Sequence, residues 1–321
     1  MTEQSSRLLG DIGATNARFA LCAPDGDPMR TRIMPVEHYA TLLEAIRSYL
    51  EMERIDPAPR AAALAVASPV TGDAVTMTNH PWSFSIATLK HDLNLERLLI
   101  VNDFAANALA IPRLKPEERA AIGDGTADPH GPIAVLGPGT GLGVSGLVPT
   151  AGGGWSVLAG EGGHATMAAS DDRESEVLTL LRRRFGHVSA ERVLSGQGLV
   201  NLYQALAELA GVAAEPYTPA QIADRDIGER EPLCRAALAM FCAMLGAVAG
   251  DLALTFGALG GVYVAGGIVP RLGARFAESA FRERFEGKGR FRHYLSAIPT
   301  YVITAPVPAF LGLSAALERK E

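Results

Sequence analysis

Two glycine-rich turns carry the clearest chemistry in this chain. The first reads Gly10-Asp11-Ile12-Gly13-Ala14-Thr15-Asn16; the second reads Gly137-Pro138-Gly139-Thr140-Gly141-Leu142-Gly143. Each follows a short apolar run and leads into another. Each therefore reads as a hairpin whose tip exposes backbone N–H groups and a threonine hydroxyl, which suit an anion such as phosphate. One such turn in each half of the chain suggests a nucleotide clamped between two domains. Taken alone, the first turn is equally well a plain Gly-rich hairpin. The pattern GxxxxGK[ST] occurs nowhere in the chain, which excludes an ordinary P-loop NTPase. Without that lysine, a phosphate must rely on backbone N–H groups, Thr15 and a metal. Asp11 is the candidate for Mg²⁺, through water, since Mg²⁺ keeps several waters.

The other candidates are side chains whose ordinary roles compete with functional ones. Gly141 to Gly146 matches GxGxxG, but a dinucleotide fingerprint must open a helix, and here strand and turn residues follow. Asn102-Asp103 stands at the end of an apolar run just before a helical pattern. Either residue makes a good N-cap, yet a cap explains one of them and not the pair. A strand's carboxyl end is also where open α/β sheets place ligand groups. Glu161-Gly162-Gly163-His164 sets a carboxylate and an imidazole around two glycines, with too few neighbouring ligands for a metal site. Glu191, after Ser189-Ala190, reads as a first-turn carboxylate favouring the helix dipole. Gly266-Gly267 ends a buried strand. It allows either close approach of a flat ligand such as adenine or a tight left-handed turn.

The elements that must position these residues follow from periodicity. Strands are expected at 8–12, 18–22, 33–36, 61–67, 98–101, 133–136 and 262–265. Helices are expected at 39–52, 85–93, 104–111, 174–184, from about 190, at 233–256 and at 311–319. The stretch GDGTADPHG at 123–131 is the plainest loop and lies near an expected domain boundary. A second strand–turn–strand unit from residue 133 echoes the first. This order predicts an α/β protein with two similar cores.

Bulk properties narrow the classes. The chain has 321 residues, enough for two domains, with 48% hydrophobic and 20% charged residues. Disorder and fibres are thereby excluded. Net charge is −6 with no long basic block, which argues against nucleic acid and anionic membranes as partners. Three cysteines without CxxC spacing fit a reducing, cytoplasmic setting rather than a disulfide framework or zinc site. No signal peptide is expected at the start. Residues 252–270 carry no charge, but five glycines interrupt them, so they read as a buried helix end and a core strand rather than a membrane span.

Taken together, the segments resemble the bacterial glucokinase family of the actin–hexokinase–Hsp70 ATPase superfamily. The resemblance rests on GDIGATNARFALC at 10–22, SPVTGD at 68–73, MTNHPWSFSI at 77–86, NDFAANALAI at 102–111 and GPGTGLGV at 137–144. It continues through GEGGHA at 160–165, GHVSAERVLSGQGLVNLY at 186–203 and GGVYVAGGIVPR at 260–271. It implies two ribonuclease-H-like domains around a cleft: residues 1–112, completed by a C-terminal helix at 302–321, and residues 113–301. It further implies ATP-dependent phosphorylation of D-glucose, the first step of glycolysis, by a cytoplasmic homodimer using Mg²⁺. Gly10, Asp11, Ile12, Gly13, Ala14, Thr15 and Asn16 would then form the first phosphate turn. Gly139, Thr140 and Gly141 would form the second, and Gly266 and Gly267 would border the adenosine. Asn102, Asp103, Glu161, His164 and Glu191 would hold glucose, with Asp103 as the general base.

Two positions depart from the family pattern. Ala14 replaces a frequent glycine and would restrict a positive-φ conformation. Pro138 replaces a small residue and removes an N–H donor. The Cys-rich zinc motif of the ROK sugar kinases is absent. A non-catalytic sugar sensor on this scaffold would need a DNA-binding segment, for which no room is expected before the first strand near residue 8. A chaperone ATPase would need a substrate domain.

Overall fold

The computed structural model describes residues 6–22, 28–77, 80–224 and 229–319. Within the MTNHPWSFSI motif, Thr78 and Asn79 lie outside the described residues. The chain divides into two compact units: Met1–Lys115 with Ala305–Glu321, and Pro116–Thr304.

The first unit is built on a five-stranded sheet of order β3-β2-β1-β4-β7. Its strands are β1 (Arg7–Ile12), β2 (Asn16–Cys22), β3 (Pro28–Pro35), β4 (Ala61–Val66) and β7 (Arg97–Asn102), with β5 (Ala74–Thr76) and β6 (Ser83–Ser85) forming a separate hairpin. β1 runs antiparallel to β2 and parallel to β4, and β4 runs parallel to β7. Helix α1 (Leu42–Met52) is capped by Thr41, whose Oγ1 accepts from Glu44 N at 3.1 Å. It buries Leu42, Ala45, Ile46 and Tyr49, one helical face, against Leu8, Ile12 and Phe19 of the sheet. The opposite face of the sheet buries Leu9, Ala20 and Ala63 under Phe310 and Leu313 of the C-terminal helix. With both faces covered, β1 and β4 lose polar–apolar alternation.

The helix expected at 302–321 is corrected to Pro308–Glu318. Residues Thr300–Ile303 instead form a strand of the second unit, and Pro308 sits at the start of the helix, where its missing N–H costs nothing. This helix packs tightly on α3 (Asp103–Ala110): at Gly312 a Cβ would meet the Ala106 carbonyl. It thereby fixes the helix on which Asp103 stands.

The second unit repeats the plan. Its sheet has the order β11-β10-β9-β12-β13-β8. The strands are β8 (Arg119–Ile122), β9 (Ile133–Pro138), β10 (Leu142–Pro149), β11 (Trp155–Gly160), β12 (Val262–Val264) and β13 (Thr300–Ile303). β9 is antiparallel to β10 and parallel to β12, and β12 is parallel to β13. In both sheets the first hairpin lies beside two parallel strands in the same relative order, so the sequence echo at residue 133 is a repeat of topology. Helices α4 (Asp172–Phe185), α5 (Gly196–Leu209), α6 (Pro232–Phe256) and α7 (Phe281–Glu286) surround a core that includes Leu136, Leu181, Leu202, Phe241 and Phe281.

The charge-free stretch 252–270 contains the end of α6, a left-handed Gly257 (φ 60°) and β12. Among the described residues only α6 has the length and apolarity to cross a membrane, and 56% of its most apolar window is buried inside the protein.

Candidate active site

In the first unit, the β1–β2 hairpin closes where Gly13 N donates to Asn16 O at 3.0 Å. Thr15 is exposed at the tip, and its carbonyl accepts from Val36 N at 3.1 Å, which ties the tip to the end of β3. Gly10 and Ile12 are buried. Gly10 packs inside β1 against Leu64 and Phe19, so its place in the motif has a packing reason. Among the described non-glycine residues, positive φ occurs only at Arg30, Arg54 and Asn94. The backbone at Ala14 is therefore one that alanine accepts, and the expected restriction does not arise.

Asp11 lies opposite Arg18 in the β1–β2 ladder, and Arg18 Nη1 donates to its Oδ2 at 2.8 Å. Burial pushes the Asp11 carboxyl above the usual carboxylate range; Arg18 pulls the other way with smaller effect. Among the described residues no group of three or more His, Cys, Asp or Glu could hold a metal. A single hard oxygen donor beside a phosphate-type turn still fits Mg²⁺, which is bound by one or two carboxylates plus waters and phosphates rather than by an all-protein cage.

β7 delivers Asn102 and Asp103 to the start of α3. Asn102 is the N-cap: its Oδ1 accepts from Phe104 N at 2.9 Å and from Ala105 N at 3.3 Å. Its Nδ2 reaches Ser68 O at 3.5 Å, linking the ends of β7 and β4. Asp103 is the first helical residue, half-buried, and its Oδ1 shares the Phe104 N–H at 2.9 Å. The two roles that the sequence left entangled are separate in the structure. Asn102 caps, and Asp103 adds a carboxylate that the cap does not need.

The second unit brings its candidates together. The β9–β10 hairpin closes with Gly139 N donating to Gly141 O at 2.8 Å, leaving Thr140 exposed at the tip. β10 continues to Pro149 as a strand, which rules out a helix-opening dinucleotide fingerprint at Gly141–Gly146. Pro138 is the last residue of β9 and pairs with Leu142. Glu161 precedes a 3-10 turn that His164 ends; both are exposed, with His164 N donating to Glu161 O at 3.0 Å.

Glu191 is not in a helix, contrary to the sequence expectation. It lies in a turn, and α5 starts at Gly196 with Ser195 as its cap, Ser195 Oγ accepting from Gly198 N at 2.9 Å. Tertiary hydrogen bonds draw this segment away from helix: Ala190 N donates to Ala165 O and Glu191 N to Gly163 O, each at 2.8 Å.

Gly266, at φ +84°, is left-handed, and a Cβ there would strike the Pro138 backbone. Its glycine is required by the packing of this turn on the hairpin. Gly267 opens on free space, so of the pair it alone keeps an open face. Two contacts went unread in the sequence. Leu142 N donates to Glu191 Oε2 at 2.9 Å, and Gly196 N donates to Gly139 O at 2.8 Å. Backbone donors and acceptors leave no trace in residue type.

These glycine-tipped hairpins belong to a sugar kinase, as comparison with known proteins shows. Residues 8–320 match the family model for glucokinase. The chain is 53% identical over 313 residues to the glucokinase of Aromatoleum aromaticum, covering 97% of this chain and 94% of that one. Among solved structures it is similar to a glucokinase from an Antarctic psychrotroph, with a TM-score of 0.89, 38% identity, and 99% and 100% of the two chains covered. The fold is also that of the Balamuthia mandrillaris glucokinase in complex with glucose, with a TM-score of 0.81, 20% identity, and 98% and 94% covered. The chain belongs to the glucokinase family and is a transferase of the sugar-kinase type.

Proposed function

We propose that this enzyme transfers the γ-phosphoryl group of ATP to the 6-hydroxyl of D-glucose, giving ADP and glucose 6-phosphate, with Asp103 as the general base. The observation that carries the catalytic assignment is the division of labour at the start of α3. Asn102 satisfies the helix donors, and the adjacent carboxylate of Asp103 stands at the carboxyl end of a parallel strand. Identity of 53% over 97% of the chain with a glucokinase supports the substrate pair.

In this reading Asn102, Asp103, Glu161, His164 and Glu191 hold the sugar hydroxyls. The backbone N–H groups of Thr15, Thr140 and Gly141 cradle phosphates, with the Thr15 and Thr140 hydroxyls beside them, while the Gly13 and Gly139 N–H groups close the two turns. The transition state for phosphoryl transfer is largely dissociative, so positioning and electrostatics supply most of the rate. Asp103 orients the 6-hydroxyl and takes its proton as the O6–P bond forms and the bond from phosphorus to the ADP oxygen breaks. Mg²⁺, held through water by Asp11, would neutralise phosphate charge. Gly267 leaves room for the adenine face. The repeated strand order supports assigning both units to the ribonuclease-H-like fold. A cytoplasmic homodimer completes the proposal.

The test is a coupled assay with a panel of hexoses and phosphoryl donors. A site that hydrogen-bonds a hydroxyl rejects its absence strongly, because its own polar groups are left unpaired. Glucose with ATP should therefore give the highest kcat/KM. Equal values for glucose, fructose and N-acetylmannosamine would refute the assignment of the hydroxyl-reading set.

A further inference from the structure

Glu191 stands where three segments of the second unit meet. Its backbone N–H is bonded to Gly163 O, in the Glu161–His164 turn. Its Oε2 accepts the Leu142 N–H, the first donor after the Gly139-Thr140-Gly141 tip. That oxygen also fills the space a Cβ at Gly141 would need, so the absence of a side chain at residue 141 is what lets the carboxylate reach the strand. On the other side of the tip, Gly196 N holds Gly139 O. One segment, 191–196, thus brackets the hairpin tip from both ends, and Glu191 is the side-chain member of the bracket.

We propose that Glu191 is a positioning residue for the second phosphate turn as well as a sugar ligand, so that one carboxylate couples glucose binding to nucleotide binding. The proposal rests on the sugar-kinase reading above. An ionised carboxylate offers about four acceptor positions, so holding Leu142 N–H leaves capacity for a sugar hydroxyl. A hydroxyl that engages Glu191 draws on the same group that sets where Gly141 and Leu142 stand. The coupling is reciprocal by linkage: a change at the turn must be felt by the sugar, and loss of the carboxylate must be felt by the nucleotide.

The test is calorimetric titration of three variants, each checked for folding by thermal melting. The probes are a non-hydrolysable ATP analogue with Mg²⁺ in the absence of glucose, and glucose in the absence of nucleotide. Glu191→Ala should weaken analogue binding at least about fivefold, the lower end of typical couplings. Glu191→Gln keeps a side-chain carbonyl for the Leu142 N–H and should bind the analogue within about twofold of the parent. Gly141→Ala puts a methyl where Oε2 sits and should weaken glucose at least about fivefold with no nucleotide present. A merely structural role would not give this rescue by Gln. If Glu191→Ala loses glucose affinity alone and Gly141→Ala binds glucose as the parent does, Glu191 is a sugar ligand only and the coupling is refuted. If Glu191→Ala binds both probes as the parent does, the assignment of Glu191 to the site fails as well.

Discussion

Asp103→Asn and Asn102→Ala form a pair of substitutions that separates catalysis from capping at adjacent residues. Asn102 Oδ1 accepts from both Phe104 N and Ala105 N, and Asp103 Oδ1 shares only the first of these. Asparagine at residue 103 retains an oxygen in place and leaves the cap intact, so the melting temperature should move little. It removes the basic carboxylate, and general acid–base groups contribute about 10²–10⁴-fold. The expected result is a fall in kcat of that order with glucose still bound in a calorimetric titration. Alanine at residue 102 reverses the emphasis. Loss of a cap costs about 1 kcal/mol, which for a domain of this size lowers the melting temperature by about 2–4 °C. Glucose binding should weaken too, since Asn102 is a proposed ligand. A kcat for Asp103→Asn within about threefold of the parent would refute the base assignment, because general-base loss costs far more.

Other expectations concern charge and backbone. Asp11 has a carboxyl raised by burial, so the folded state holds its proton more tightly than the unfolded chain and ionisation works against folding. Asp11→Asn should therefore be as stable as the parent or more so near neutral pH. The difference should shrink as pH falls through the range between the raised and the ordinary carboxylate value, while turnover with Mg²⁺ and ATP drops; urea melts at two pH values and initial rates check both. Glu174 is almost fully buried and ion-paired with Arg284, joining α4 to α7. Arg284→Ala strands that carboxylate and should cost about 3–5 kcal/mol in denaturant unfolding, whereas replacing one partner of an exposed pair such as Arg60–Glu96 should cost less than about 1 kcal/mol. At the end of β12, Gly266→Ala meets both a positive φ and the Pro138 backbone and should destabilise by about 1–3 kcal/mol. Gly267→Ala meets no atom and should leave the melting temperature unchanged while weakening nucleotide binding.

The sequence made the hairpins and the strand-end carboxylate legible for physical reasons. Gly13 and Gly139 to Gly141 stand between short apolar runs, and Asn102-Asp103 falls where a strand gives way to a helix. The strands β1 and β4 were readable as buried elements even though they alternate poorly, since Leu8 and Leu9 pack on opposite sides of one sheet. Glu191 was misplaced because Ser189 and Ser195 are both good caps, and local chemistry does not choose between them. The choice is made by Gly163 O and Ala165 O, residues distant in sequence. Periodicity placed the last helix at 311–319, close to the observed Pro308–Glu318; the longer span 302–321 that the resemblance implied fails for a related reason. Thr300–Ile303 belongs to a sheet whose neighbours, β12 and β8, lie far away in the chain. β8 went unread because Arg119-Ala120-Ala121-Ile122 has little strand character of its own and is held by pairing with β13. Gly266 was ambiguous until its φ and its contact with Pro138 were visible.

The central claim, that this chain phosphorylates glucose at O6 using ATP, is tested most directly by ³¹P and ¹³C NMR of the reaction mixture. Uniformly labelled glucose and ATP with Mg²⁺ should yield one phosphomonoester whose phosphorus couples to C6, with ADP formed in equal amount, and Asp103→Asn should abolish the signal over the same interval. Phosphorus coupled to C1, or ADP and inorganic phosphate appearing without any sugar phosphate, would contradict it.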